Sequence, residues 1–158
     1  MGQKGISVAG HGDVPCVADC LKGFAQWLGS TLGPDERLAR DVARLIDDPD
    51  TDFFVAYDAS GRCAGMLQQR YRFSLWLSGE EATIEDLFVQ PWARGQGLGR
   101  ALVEFALARA TERGCRRSVL DVTETNAVPL AMYERMGFTC VRQRPAPGRQ
   151  LLYVKPLP

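Results

Sequence analysis

The clearest chemical signal in this sequence is the heptapeptide Arg94-Gly95-Gln96-Gly97-Leu98-Gly99-Arg100. A β-branched and aromatic run, Ile84 to Val89, comes before it and stops at Pro91, and an apolar helical pattern comes after it. The order is strand, glycine loop, helix start. At such a junction several backbone N–H groups lack an intrahelical partner, and the helix dipole adds partial positive charge. The ligand that suits them is an anion, above all a phosphate or diphosphate. Glycine is needed where a Cβ would block close approach or where φ must be positive. Arg94 and Arg100 flank the loop and could add charge-assisted contacts.

Spacing separates the kinds of phosphate loop. The ATPase-type loop ends in Gly-Lys-Ser or Gly-Lys-Thr, whereas Arg100-Ala101 follows Gly99 here. The dinucleotide fingerprint Gly-x-Gly-x-x-Gly is half met by Gly95 and Gly97, but Arg100 stands at its third glycine. Asp121 lies at a suitable distance downstream, so that reading stays open. A third pattern, Arg-x-x-Gly-x-Gly, fits Arg94, Gly97 and Gly99.

The flanking elements must place this loop. Residues 5 to 9 read as a short strand. His11-Gly12-Asp13 is a turn, with Asp13 as N-cap and Pro15 in the first turn of a helix from Val14 to Leu28. Its apolar residues Val17, Leu21, Phe24 and Leu28 recur at helical spacing. Pro34 opens a second helix with Asp35 and Glu36 in its first turn, and Leu38, Val42, Leu45 and Ile46 form its stripe. The period then changes. Phe53 to Tyr57, Cys63 to Leu77 (with Gly65 at a bulge) and Ala82 to Val89 read as an antiparallel meander. After the loop, Leu98, Ala101, Leu102, Phe105 and Ala108 mark a helix ending at Gly114. Ser118 to Thr123 is a strand that must run parallel to the preceding one, because a helix intervenes. Asn126 and Pro129 begin a shorter helix that stops at Gly137, and Phe138 to Gln143 with Gln150 to Lys155 form a closing hairpin. The expected class is α/β, an α+β mixed sheet in one domain over residues 1–158.

Composition narrows the function. Nineteen basic and nineteen acidic residues cancel, so no global field draws nucleic acid or an anionic membrane. No apolar run approaches a bilayer span and no signal core follows Met1, which gives the expectation of a cytoplasmic protein. The five cysteines, Cys16, Cys20, Cys63, Cys115 and Cys140, are scattered without a Cys-x-x-Cys pair, and His11 is the single histidine. The expectation is reduced, packed thiols and no metal.

With Val89 and Pro91 ahead of the loop, the Arg94–Gly99 motif resembles the acetyl-coenzyme A diphosphate loop of the GNAT superfamily of N-acetyltransferases. Ile84-Glu85-Asp86-Leu87-Phe88-Val89 resembles that family's central strand. Asn126 to Phe138, with its Tyr133-Glu134-x-x-Gly137-Phe138 ending, resembles its late helix. The order of elements is that of the GNAT acyl-CoA N-acyltransferase fold, with about seven strands and four helices. The resemblance implies a splayed central parallel pair whose gap admits the pantetheine arm. It implies acetyl-CoA as cosubstrate, bound at Leu87, Phe88, Val89, Arg94, Gly95, Gln96, Gly97, Leu98, Gly99, Arg100 and Asn126, with the amides of Phe88 and Val89 available if the strand bulges there.

Acetyl transfer from a thioester to an amine needs a deprotonated amine and a protonated sulfur leaving group. A free alkylamine, with a pKa near 10.4, is mostly charged at neutral pH. Glu85 is the expected base, placed by strand alternation on the face opposite Ile84 and Phe88, with Asp86 its rival. Tyr133 matches the family tyrosine that protonates the departing thiolate. Direct attack in a ternary complex is expected, since no cysteine lies in these motifs. The implied acceptor is a small-molecule amine. The alternatives are a protein lysine or N-terminus, or a non-catalytic acyl-CoA sensor. Pairing or swapping of closing strands in this family makes a homodimer the expected assembly.

Overall fold

The computed structural model describes residues 5–123 and 125–140. Their contacts divide between two compact units, Met1–Asp121 and Val122–Pro158, each taken here by itself.

The first unit is a five-stranded sheet in sequence order: β1 (Gly5–Val8), β2 (Thr51–Tyr57), β3 (Cys63–Ser74), β4 (Gly79–Val89) and β5 (Arg117–Leu120). All neighbours are antiparallel except β4 and β5, which run parallel, as an intervening helix demands. Helices α1 (Val14–Trp27) and α2 (Asp35–Ile46) cover one face, and α3 (Leu98–Glu112) covers the other. The second unit holds α4 (Ala127–Arg135). The four helices and the mixed sheet match the expectation. Of the predicted closing hairpin, residues 138–140 are not strand and the remainder lies outside the described residues, so five strands stand against the seven expected. Among the described residues no helix is long and apolar enough to cross a membrane.

Alternation along β2 explains the two cores. Phe53 and Val55 join Val17, Val42, Met66 and Phe88 under α1 and α2, while Phe54 points the other way and meets Phe105 of α3 edge-on, with centroids 5.3 Å apart. Each fully buried Phe stabilises the fold by roughly 2–3 kcal/mol. Between α3 and the sheet, the buried Gln69 amide donates to Tyr71 Oη (2.9 Å) and to the Ala106 carbonyl (3.1 Å).

Two irregularities interrupt the register of the sheet. One skips Ala64 in β3, beside Gly65, where the bulge was expected. A Cβ on Gly65 would sit 2.8 Å from the Phe88 carbonyl oxygen, so glycine alone lets β3 approach the end of β4 this closely. The other irregularity was not foreseen. Gln68 pairs with Asp86 and Gln69 with Ile84, which leaves Glu85 as the extra residue of a β-bulge. This corrects the alternation assumed for β4. Ile84 lies opposite Gln69 on the α3 side, whereas Asp86 and Phe88 face the α1 side, opposite Gln68 and Met66.

The cysteines need a second correction. Cys16 in the first turn of α1 and Cys63 at the start of β3 form a disulfide, with Cα atoms 5.6 Å apart. Both sulfurs border the α1 core, where Cys20 is buried beside them. Spacing along the chain gave no sign of this, because 47 residues separate the partners.

Candidate active site

Helix α3 begins with Gly97 as its N-cap, at φ 76° and ψ 8°, and Gly95 is also left-handed at φ 73°. Only glycine takes these angles without strain. Gly95, Gln96 and Gly97 are exposed, and a Cβ on Gly95 or Gly97 would point into open space. Leu98 instead is buried in the core, which fixes the helix start. The first-turn amides of Leu98, Gly99 and Arg100 lie ahead of the first helical hydrogen bond, Ala101 N–H to Gly97 C=O at 3.1 Å. This exposed cradle fits a diphosphate.

Arg94 is engaged within the chain. Its Nε donates to the Val89 carbonyl at 2.9 Å, and its guanidinium lies 5.4 Å from the centre of the Phe88 ring. Arg100 pairs with Glu104 one turn along the helix at 2.7 Å.

The parallel pairing of β4 with β5 runs from Glu81↔Arg117 to Ile84↔Leu120 and stops, while β4 continues to Val89. Residues 85–89 therefore present an edge to which no described strand is paired. Gln90 N–H donates to Ala64 C=O on the β3 side. Backbone groups alternate along an extended strand, so Val89 and Leu87 turn theirs toward the open edge, and Phe88 turns its own toward β3. The Phe88 ring packs on α1, 6.3 Å from the Phe24 ring and so close to Gly23 that a Cβ there would lie 2.8 Å from it. Phe24 in turn stacks on the half-exposed Trp27, centroids 6.1 Å apart.

The two carboxylates sit where the sheet opens. Glu85 is exposed on the bulge. Asp86 is half-buried on the α1 face, and burial, then the neighbouring Glu85 charge, pushes its carboxyl above the usual aspartate range. Glu81 is fully buried between Arg72 and Arg117. Burial pushes that carboxyl up, but the two arginine hydrogen bonds outweigh it and the net shift is down. Trp76 is 98% exposed at the β3–β4 turn. His11 is tied to Asp47 at the end of α2 (2.7 Å). Asp13, expected to cap α1, accepts instead from Gly10 N–H and Tyr57 Oη.

In the second unit Asn126 occupies the N-cap position of α4 without a side-chain capping bond. Tyr133 is buried, with its ring edge-on to Phe138 at 5.7 Å, and burial pushes its phenol upward.

Residues 21–138 match the family described as Acetyltransferase (GNAT) family. Streptothricin acetyltransferase of Streptomyces lavendulae is 42% identical over 92 residues, 58% of this chain and 47% of that protein. The [ribosomal protein bS18]-alanine N-acetyltransferase of Escherichia coli K12 is 41% identical over 59 residues, 37% of this chain and 40% of that protein. The matches thus span less than half the length of either relative. Among solved structures, a transcriptional regulator from Bacillus halodurans C-125 superposes with a TM-score of 0.80 at 26% identity, over 96% of this chain and all of the other.

Proposed function

Because this chain belongs to the acetyltransferase (GNAT) family, we propose that it moves the acetyl group of acetyl-CoA to a small-molecule amine by direct attack in a ternary complex. The observation that carries this reading is the exposed Gly95–Gly97 turn at the start of α3, beside the stretch of β4 that β5 has left unpaired. Acetyl-CoA, when bound, supplies the acetyl thioester.

The amides of Gly95 to Arg100 hold the diphosphate, and the backbone of Leu87 and Val89 holds the pantetheine arm along the open edge of β4. Phe88 sets the position of that edge through α1, and Arg94 ties the loop to it. By the family resemblance Asn126 is assigned to cofactor binding. Glu85, on the bulge, takes the proton of the acceptor nitrogen, directly or through water. Asp86 lies on the same face as the Phe88–Phe24–Trp27 aromatic series, a carboxylate with apolar ring surface nearby, which suits an organic ammonium. By the same resemblance Tyr133, its phenol kept protonated by burial, is assigned the proton for the departing sulfur.

The named relatives support acetyl transfer to different acceptors: one acts on streptothricin, another on the alanine of a ribosomal protein. Thiol release from acetyl-CoA is to be measured against a panel of small amines and an alanine-terminated peptide. Turnover with a small amine, lost in Glu85→Gln and Tyr133→Phe, is the expected result. Turnover confined to the peptide would reassign the acceptor to protein. Tight acetyl-CoA binding with no turnover on any amine would favour a sensor, a reading that the transcriptional-regulator relative keeps in view.

A further inference from the structure

The sulfurs of Cys16, Cys20 and Cys63 all lie within 4.8 Å of one another, in the core under α1 that also holds the Phe88 ring. Cys16 and Cys20 are one helical turn apart on α1 and share a face. Both meet Cys63, one through the disulfide and the other with its Sγ 3.6 Å from the Cys63 Sγ. Cys63 is thus common to two pairings.

We propose that this trio is an intramolecular thiol–disulfide exchange site, in which Cys20 can replace Cys16 as the partner of Cys63. In the exchange the Cys20 thiolate attacks Cys63 Sγ. The Cys20–Cys63 bond forms as the Cys16–Cys63 bond breaks. The electron pair leaves on Cys16 Sγ, which takes up the proton that Cys20 released. One disulfide and one thiol exist before and after, so no oxidant or reductant is consumed. The three sulfurs form a triangle rather than a line, so a side-chain rotation on α1 precedes attack.

Several groups face Cys20. Burial pushes its thiol up to about 12, the Asp19 charge acts in the same direction, and a hydrogen bond from Gln90 acts against them. Tyr57 of β2 also faces it and donates to Asp13. The thiolate is therefore scarce at neutral pH, and exchange speeds up as pH rises.

The site has a route to the glycine loop. Gln90, which joins β4 to Pro91, places Nε2 3.9 Å from Cys20 Sγ and 3.0 Å from Asp19, while its N–H donates to Ala64 beside Cys63. Moving the tether by one turn of α1 removes the Cys20 thiol from Gln90.

The test is disulfide mapping of the full chain after equilibration in glutathione redox buffer, acid quench and alkylation. Cleavage before aspartate separates Cys16 from Cys20, because Asp19 lies between them. In folded Cys16→Ser, checked by circular dichroism, the expected product is a Cys20–Cys63 linkage as the major species. In the wild type the same linkage should appear as a minor isomer that re-equilibrates faster at alkaline pH. Free, alkylated Cys20 and Cys63 in folded Cys16→Ser, in a buffer where wild-type Cys16–Cys63 forms, would overturn the proposal. If Cys16→Ser does not fold, the wild-type series decides: a Cys16–Cys63 linkage alone across the whole pH range overturns it equally.

Discussion

Arg94 Nε donates to the carbonyl of Val89 at 2.9 Å, so the first residue of the glycine loop is fastened to the last residue of β4. The phosphate cradle and the strand edge proposed for the pantetheine arm are thereby set by one hydrogen bond from a cation. Its guanidinium also lies over Phe88, which α1 holds in place. Arg94→Ala should weaken coenzyme A binding about tenfold, which is the ~1.4 kcal/mol of one charge-assisted hydrogen bond. Acetyl-pantetheine, which lacks the diphosphate, should suffer a similar loss. A loss seen only with the full cofactor would mean that Arg94 acts on phosphate instead. Calorimetry with wild type and variant decides between them.

Gly97 is the second control point. Its φ of 76° carries a penalty of about 1–2 kcal/mol for any side chain, and a Cβ there enters the open space where the diphosphate is placed. Gly97→Ala should lower thermal stability modestly and coenzyme A affinity by more than tenfold. An affinity unchanged within twofold in a folded variant would remove the loop from the cofactor site.

Asp86 gives a stability effect of defined sign. Burial raises its folded-state pKa above the unfolded value. The ionised side chain therefore costs stability above that pKa, and the cost vanishes below the ordinary aspartate range near pH 4. Asp86→Asn should raise the melting temperature at pH 7, and the gain should shrink on acidification toward pH 4. The same variant should impair turnover if Asp86 meets the acceptor ammonium. A melting temperature that falls at pH 7 would contradict the assigned burial.

Glu81 has the opposite sign. It is fully buried, and hydrogen bonds from Arg72 and Arg117 hold it below the usual glutamate range despite burial. A depressed folded pKa stabilises above the unfolded value, and this contribution is lost as pH falls through the folded pKa. Glu81→Gln should cost roughly 1–3 kcal/mol at pH 7, the loss of charge-assisted hydrogen bonds whose arginine partners stay solvated. The gap from wild type should begin to narrow as pH falls through the ordinary glutamate value of about 4.3 and should close only below the lower folded pKa. Urea melts at pH 7 and pH 3 check both statements.

Much of this was legible in the residues. The strand–loop–helix junction around Gly95, Gly97 and Gly99 declares itself, because left-handed glycines and an apolar helical stripe are local features. The order of elements set the parallel pairing of β4 with β5 for the same reason. What stayed hidden depends on partners distant in sequence. The bulge at Glu85 is a register shift against Gln68 and Gln69, and no pattern within Ile84–Val89 announces it. Cys16 and Cys63 are 47 residues apart and meet only because α1 packs on the start of β3. The burial of Glu81 is invisible along the chain, because Arg72 and Arg117 reach it from both neighbouring strands.

The central claim is that the cradle at the start of α3 holds acetyl-CoA for transfer to an amine. The most direct measurement is titration of the full chain with acetyl-CoA and, separately, with NAD, followed by thiol release in the presence of the amine panel. The account predicts saturable, single-site binding of acetyl-CoA, none of NAD, and amine-dependent thiol release that Glu85→Gln suppresses. Absence of any affinity for acetyl-CoA, or a preference for NAD, would contradict it.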